Sequence, residues 1–272
     1  MNKEKMLKKQ ALAYLSKNNW GNAIGGFFIM LMPFIIIILA NDLMVSLLDA
    51  VVDLDKINIL QSLFIILFEG ILLVSTILAT PVFTGYQKLC YNISKGKENS
   101  LSDVFYYFKG GLYGKCLRIN INIMFRILGY FCGFGAPALF MIISSTFSSN
   151  ETSGILTYIY VVYLVVLIIG TFFWAMRYTV IPCVLFEDES LSSSEIVKIG
   201  LQMAKPRLST INMLTLSFFP YLLLCFFVVP LIFVVPYMNV AYMTNGKWIT
   251  QMYLTSDNSN TTNNQVMPKG TM

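Results

Sequence analysis

Long apolar blocks leave this chain very few folds. They run from Ala23 to Ala40, Ile59 to Gly85, Ile119 to Phe147, Ile155 to Phe186 and Ile211 to Met243. A hydrocarbon core of about 30 Å is crossed by about 20 helical residues rising 1.5 Å each, so these blocks have the length of membrane spans. Only 12% of the 272 residues are charged and 56% are hydrophobic, whereas a soluble domain averages about 25% charged. There is too little polar material to cover a globule, and we expect an all-α, polytopic membrane protein.

The formal charge of +5 would point to nucleic acid in a soluble chain. Here the basic residues sit in the gaps between apolar blocks, a pattern that sets orientation in a membrane, and no nucleic-acid partner is expected. Histidine is absent, which removes the commonest general base and metal ligand together. The cysteines Cys90, Cys116, Cys132, Cys183 and Cys225 form no CxxC pair, and thiols within apolar blocks behave as small hydrophobes. The expectation is no disulfide framework, no metal and no cofactor. Without histidine neither a serine–histidine pair nor an HExxH motif exists, no aspartate lies within a span for acid proteolysis, and no lysine lies there for a Ser–Lys dyad. The sequence therefore reads as non-enzymatic.

In order along the chain, residues 1–20 are basic, with Leu7, Ala11, Tyr14 and Leu15 on one helical face and Lys8, Lys9 and Lys17 off it; this reads as an interfacial helix. The first span follows as an uncleaved anchor, with Pro33 inside it. The next loop holds Asp42, Asp49, Asp53 and Asp55 against Lys56 and should face outward. The second span contains Glu69 and ends in TPVFTGYQKL, and a basic region follows in which Ser100 and Asp103 have capping-box spacing ahead of VFYYF. The third span carries Arg126, Gly129 and Gly133 at GxxxG spacing, and Pro137; the fourth leads into the acidic turn Glu187, Asp188 and Glu189. Beyond it, Ser192 and Glu195 repeat the capping box, and Val197, Leu201, Ala204 and Leu208 form a stripe opposite Glu195, Lys198, Gln202 and Lys205. The last block is interrupted by Pro220, Pro230 and Pro236 and fits either one long helix or a hairpin of two. Both readings put the N terminus in the cytoplasm; the hairpin leaves only Lys56 and Arg126 off the basic side. Residues 1–254 form one integral membrane domain, and the polar stretch 255–272 is expected to be a disordered tail.

The chain divides into three similar units, each an amphipathic segment followed by an apolar hairpin with a proline at its inner end: Pro81, Pro182 and Pro236. The repeat favours six spans over five. Repeated hairpins occur in transporters, but they also build any helical membrane bundle.

The stretches ALAYLSKNNWGNAI, TPVFTGYQKL, SLSDVFYYFKGG, RYTVIPCVLFEDESLSSSEIVKIGLQMAKPRL and VPYMNVAYM, in that order, resemble a bacterial family of integral membrane proteins catalogued as domain-of-unknown-function family 975. The family is similar in layout to the membrane domain that precedes some glycerophosphodiester phosphodiesterases, but nothing in this chain resembles their catalytic domain. The resemblance implies a six-helix bacterial membrane protein and brings no catalytic residues with it.

Glu69 and Arg126 are the charges placed deepest by the spans, at similar depths, and they form the candidate intramembrane polar pair. The acidic turn reads as a solvated entry to the next helix, because three adjacent acids on one short loop do not converge on a cation. Gly129 and Gly133 are expected to pack within the bundle, with homodimerisation as the alternative. The functional expectation is a structural, regulatory or partner-binding component of the bacterial plasma membrane, in contact with the lipid bilayer and with a membrane-protein partner or second copy. The alternative is a permease for small solutes or ions near Glu69 and Arg126.

Overall fold

A computed structural model describes residues 3–51, 59–146, 152–225 and 228–265. These form α1 (Lys3–Ser16), α2 (Trp20–Val51), α3 (Ile59–Lys95), a 3-10 helix (Leu101–Phe108), α4 (Leu112–Thr146), α5 (Thr152–Ala175), a 3-10 turn (Met176–Val180), α6 (Ile181–Glu187), α7 (Ser193–Ala204), a 3-10 turn (Lys205–Arg207), α8 (Leu208–Leu224) and α9 (Val228–Gln265). No strand occurs among the described residues. Among the described residues, four segments are long and apolar enough to cross a membrane: Trp20–Leu47, Ile65–Lys95, Leu112–Pro137 and Val161–Glu187.

In chain order, α1 precedes α2 and α3, the first 3-10 helix precedes α4 and α5, and α7 precedes α8 and α9. Neighbours in sequence pack on one another, α2 on α3, α4 on α5 and α8 on α9. The closing block is two helices, separated after Leu224. At 17 residues, α8 is about 25 Å long at 1.5 Å per residue, slightly short of the hydrocarbon thickness.

Burial is uneven along the helices. One cluster joins Leu7, Ala11 and Leu15 of α1 to Tyr86, Leu89 and Ile93 of α3, Phe218 of α8, and Val240 and Met243 of α9. A second joins Tyr107, Cys116 and Ile119 to Ile181, Val184 and Leu185 of α6, Ile196, Val197 and Met203 of α7, and Ile249. Both lie at the end of the bundle that carries Lys8, Lys88, Lys95, Lys115 and Lys247. Away from that end the apolar side chains point outward, as in Ile36, Leu39, Ile66, Ile71, Val162 and Val166. Exposed apolar surface on this scale needs a nonpolar solvent, and a bilayer supplies one.

Several elements differ from what the sequence suggests. The apolar stripe of α1 is covered by protein: Leu7, Ala11 and Leu15 are buried in the bundle. Lys8 turns inward, donating to the Ser217 carbonyl at 2.8 Å while Tyr237 donates to the Lys8 carbonyl at 3.2 Å. Periodicity shows that a face is apolar but not whether protein or lipid covers it. The segment after Ser100 is an amphipathic 3-10 helix, and its capping box with Asp103 is present. Asp42 and Asp49 continue α2 instead of opening a loop; Asp53, Asp55 and Lys56 lie outside the described residues, as do Asn150 and Glu151. α9 continues to Gln265, into the stretch expected to be a disordered tail. Nothing between Lys247 and Gln265 is a proline or glycine, so a helix anchored in the core propagates outward. Residues 266–272 lie outside the described residues.

Pro182 breaks the fourth apolar block locally. It sits in the first turn of α6, where its missing N–H leaves the Tyr178 carbonyl without the usual helical donor and its ring crowds that carbonyl. The chain responds by tightening into the 3-10 turn Met176–Val180. This sets the angle at which α6 presents the acidic turn to the rest of the molecule.

Candidate functional site

The acidic turn is built between two helix ends. α6 stops at Glu187, with Asp188 in extended conformation after it, and α7 begins at the Ser192 cap. The Ser192 hydroxyl accepts from the Glu195 backbone N–H at 3.3 Å, and the Ser192 N–H donates to the Glu195 carboxylate at 2.9 Å. Two backbone donors at the helix start are satisfied reciprocally. The stripe expected on α7 is present: Val197 and Ala204 are buried, Leu201 and Leu208 half-buried, and Glu195, Lys198, Gln202 and Lys205 exposed.

Between those ends the three acids diverge onto separate partners. Glu187 pairs with Lys95 at 2.6 Å and accepts a short hydrogen bond from the Tyr91 hydroxyl. Asp188 accepts from the backbone N–H of Ser190 at 2.8 Å and from its hydroxyl at 2.6 Å. Glu189 pairs with Lys88 at 2.7 Å and accepts from the Tyr106 hydroxyl at 3.0 Å, while its backbone carbonyl receives Lys115 Nζ at 2.5 Å. Lys88 also lies 3.2 Å above the Tyr106 ring, so one ammonium is held by a carboxylate and a π-face together.

The turn is thus more than a solvated entry to a helix. Its acids join α6 to α3, to the 3-10 helix and, through Lys115, to α4. The side chains of Lys88 and Glu189 are only 14% and 29% exposed, so the pair is screened less than a surface salt bridge. Hydrogen bonds from the Ser190 side chain and then its backbone hold the Asp188 carboxyl below its ordinary range. Burial, and then the hydrogen bond to Glu189, push the Tyr106 phenol up. Carboxylates committed to ammonium and hydroxyl partners cannot also converge on a divalent ion. The turn therefore acts as a clasp.

Sequence reading found the acids and the cap but missed Lys88, Lys95, Tyr91, Tyr106 and Lys115 as their partners. The lysines were visible only as orientation charges. The available signal was that lysines and tyrosines alternate through one basic segment, residues 86–115, which supplies every one of those partners.

The same end is closed by backbone contact. At Gly85, in TPVFTGYQKL, a Cβ would overlap the Val104 carbonyl oxygen, so α3 and the 3-10 helix meet at a distance only glycine allows. Gly129 and Gly133, expected to pack inside the bundle, face open space: a Cβ at either position would meet nothing within 4 Å.

Glu69 and Arg126 are not brought together. Glu69 is exposed on α3. Arg126 is exposed on α4, and its Nε donates to the Asn122 side-chain oxygen one turn back, at 2.7 Å. The described ion pairs are those of the clasp. Deeper along the helices, a hollow of about 550 Å³ lies between α2, α3, α4 and α5. Its lining is apolar, Phe34, Ile77, Met124 and Phe131 among others, apart from Thr80, Asn120 and Thr171. The Thr171 hydroxyl is buried without a partner there.

No family model, curated protein or solved structure matches this chain. The fold and the clasp therefore stand on their own geometry: a helical protein whose exposed apolar helices are compatible with a membrane.

Proposed function

We propose that the chain is a six-span protein of the bacterial plasma membrane, N terminus in the cytoplasm, of the family whose motifs it resembles, and that it serves as a non-enzymatic structural or partner-binding component. The observation that carries this reading is the closure of the basic end. The 3-10 helix, α1 and α7 bury their apolar faces on the bundle, and the clasp at Glu187 and Glu189 ties the end of α6 to α3, the 3-10 helix and α4. A region so packed and cross-linked supports a fixed scaffold, because an ion path needs polar groups lining a wet route at that level. The concentration of lysines at the same end supports the cytoplasmic orientation. Any partner would meet the polar faces of α1 and α7, or the outward apolar faces of α2 to α5.

The test is reconstitution into liposomes with a panel of ions and small polar solutes. The scaffold reading expects flux no higher than protein-free vesicles, and sustained flux of any of them overturns it. A second reading is favoured by the apolar hollow with its unpartnered Thr171 hydroxyl: the bundle takes up a lipophilic solute. Retention of such a solute by the purified protein, abolished by Thr171→Val or by Met124→Trp, would favour that reading.

A further inference from the structure

Arg118, Asn122 and Arg126 are spaced four residues apart on α4, which puts them on one stripe of the helix, and all three are exposed. The stripe belongs to a segment apolar enough to cross a membrane, Leu112–Pro137. Two cations facing outward on such a segment require an anion or water at that depth.

The geometry says where the charge is directed. Arg126 Nε donates to the Asn122 oxygen at 2.7 Å, so its side chain turns back toward the start of α4, where Arg118 and Lys115 lie. Eight residues separate the two arginine Cα atoms by about 12 Å along the axis, and the reach of Arg126 back to Asn122 brings its guanidinium to within about 6 Å of the level of the Arg118 Cα. The polar layer of one leaflet is also about 5–7 Å thick. The Arg126 guanidinium and the Arg118 position therefore fall within a single headgroup layer. Among the described residues, neither Arg118 nor the terminal amino groups of Arg126 have a hydrogen-bond partner.

The surroundings are graded in polarity. On one side a hollow of about 310 Å³ is lined by Arg118, Asn122 and Ser192, Ser193 and Ser194. Continuous with it through Arg118 and Asn122 is a second of about 530 Å³, lined also by Ile121, Phe125 and Arg126. Ile121 in turn borders the apolar hollow between the helices. The groove thus runs from hydroxyls through guanidinium groups to hydrocarbon, the order of groups in a phospholipid from headgroup to chain. Two carboxylates lie nearby and keep their charge, Glu195 at the Ser192 cap and Asp188 beside Ser190, but Arg118, Arg126 and, near Glu195, Lys115 and Lys198 outnumber them. The local charge is positive.

We infer that α4 carries a binding site for an anionic phospholipid, its phosphate held between Arg118 and Arg126 beside Asn122, its headgroup against Ser192–Ser194 and its chain along Ile121 and Phe125. This rests on the membrane reading above. Arg118 and Arg126 act together as a fork for phosphate oxygens, a geometry that guanidinium suits better than ammonium.

The full-length protein, purified in mild detergent with equal phosphatidylglycerol and phosphatidylcholine, is analysed by native mass spectrometry. Phosphatidylglycerol should be retained in preference to phosphatidylcholine. Arg118→Gln and Arg126→Gln should each reduce that preference about fivefold, the effect of one basic residue near an anionic surface, and Lys205→Gln should leave it unchanged. Both arginines are exposed, so the single variants should elute as the wild type does. If the double variant fails to fold, the two singles carry the test. Equal retention of the two lipids, or a preference unchanged in both arginine variants, overturns the site. Protection from thermal unfolding by inorganic phosphate as strong as by phosphatidylglycerol would assign it to free phosphate and overturn the lipid. Release of the protein from membranes by alkaline carbonate would overturn the membrane reading and the site with it, whereas an embedded protein without lipid preference overturns the site alone.

Discussion

Lys88 of α3 and Glu189, which follows α6, lie 101 positions apart in the chain and meet at 2.7 Å. The contact holds the end of one apolar helix against the exit of another. With the pair shielded and the Tyr106 hydroxyl bonded to the same carboxylate, removing one partner strands a partly buried charge. We expect Lys88→Met or Glu189→Gln to lower stability by about 1–3 kcal/mol. The double variant should lose less than the sum, a coupling readable by thermal unfolding in detergent.

Gly85 and Gly129 separate two uses of glycine in membrane helices. Gly85→Ala drives a methyl group into the Val104 carbonyl, which belongs to backbone and cannot step aside; a loss of about 3 kcal/mol or more is expected. Gly129→Ala meets open space and should be neutral or stabilising by up to about 1 kcal/mol through helix propensity. Comparing the two midpoints checks both. A large loss at Gly129 would show that another chain packs there.

Leu15 is wholly buried and Leu12 is 49% exposed on the same helix. Leu15→Ala should cost about 2–5 kcal/mol, with the cavity left in the α1 contact, and Leu12→Ala well under 1 kcal/mol. If α1 instead lay flat on lipid, neither substitution would alter the unfolding of the bundle.

The α7 cap should respond to acid. Hydrogen bonds from the Ser192 side chain and backbone hold the Glu195 carboxyl below its ordinary value of 4.5. A depressed carboxyl contributes stability that is complete above that ordinary value and is lost as pH falls through the depressed one. The protection factor for hydrogen exchange at the first turn of α7, taken against the intrinsic rate at each pH, should therefore fall below about pH 4.5. Glu195→Gln, which keeps an acceptor without the charge, should flatten that dependence, and Ser192→Ala should raise exchange at every pH.

Much of the architecture was legible without coordinates because its causes are local. Apolar blocks of membrane length, capping pairs such as Ser192 and Glu195, and the helix-breaking ring of Pro182 act within a few residues, so their consequences can be read along the chain. The polar face of α7 was equally readable, since the 3.6-residue period fixes which side chains share a face.

What covers a face is set by the rest of the molecule. The stripe Leu7, Ala11 and Leu15 is the same whether it meets lipid or α3 and α9, and only the fold assigns it to protein. Glu69 and Arg126 matched in depth, yet depth says nothing of the angle around each helix axis, and the two stay apart. Lys88, Lys95 and Lys115 counted equally as orientation charges until the fold brought them to Glu187 and Glu189. The sequence by itself determined that this chain is helical, built from apolar segments of membrane length, capped at defined serines and basic in the intervals between those segments. Tertiary structure alone decided which faces meet and which charges pair, because those depend on distances between residues a hundred positions apart, and no local periodicity encodes them.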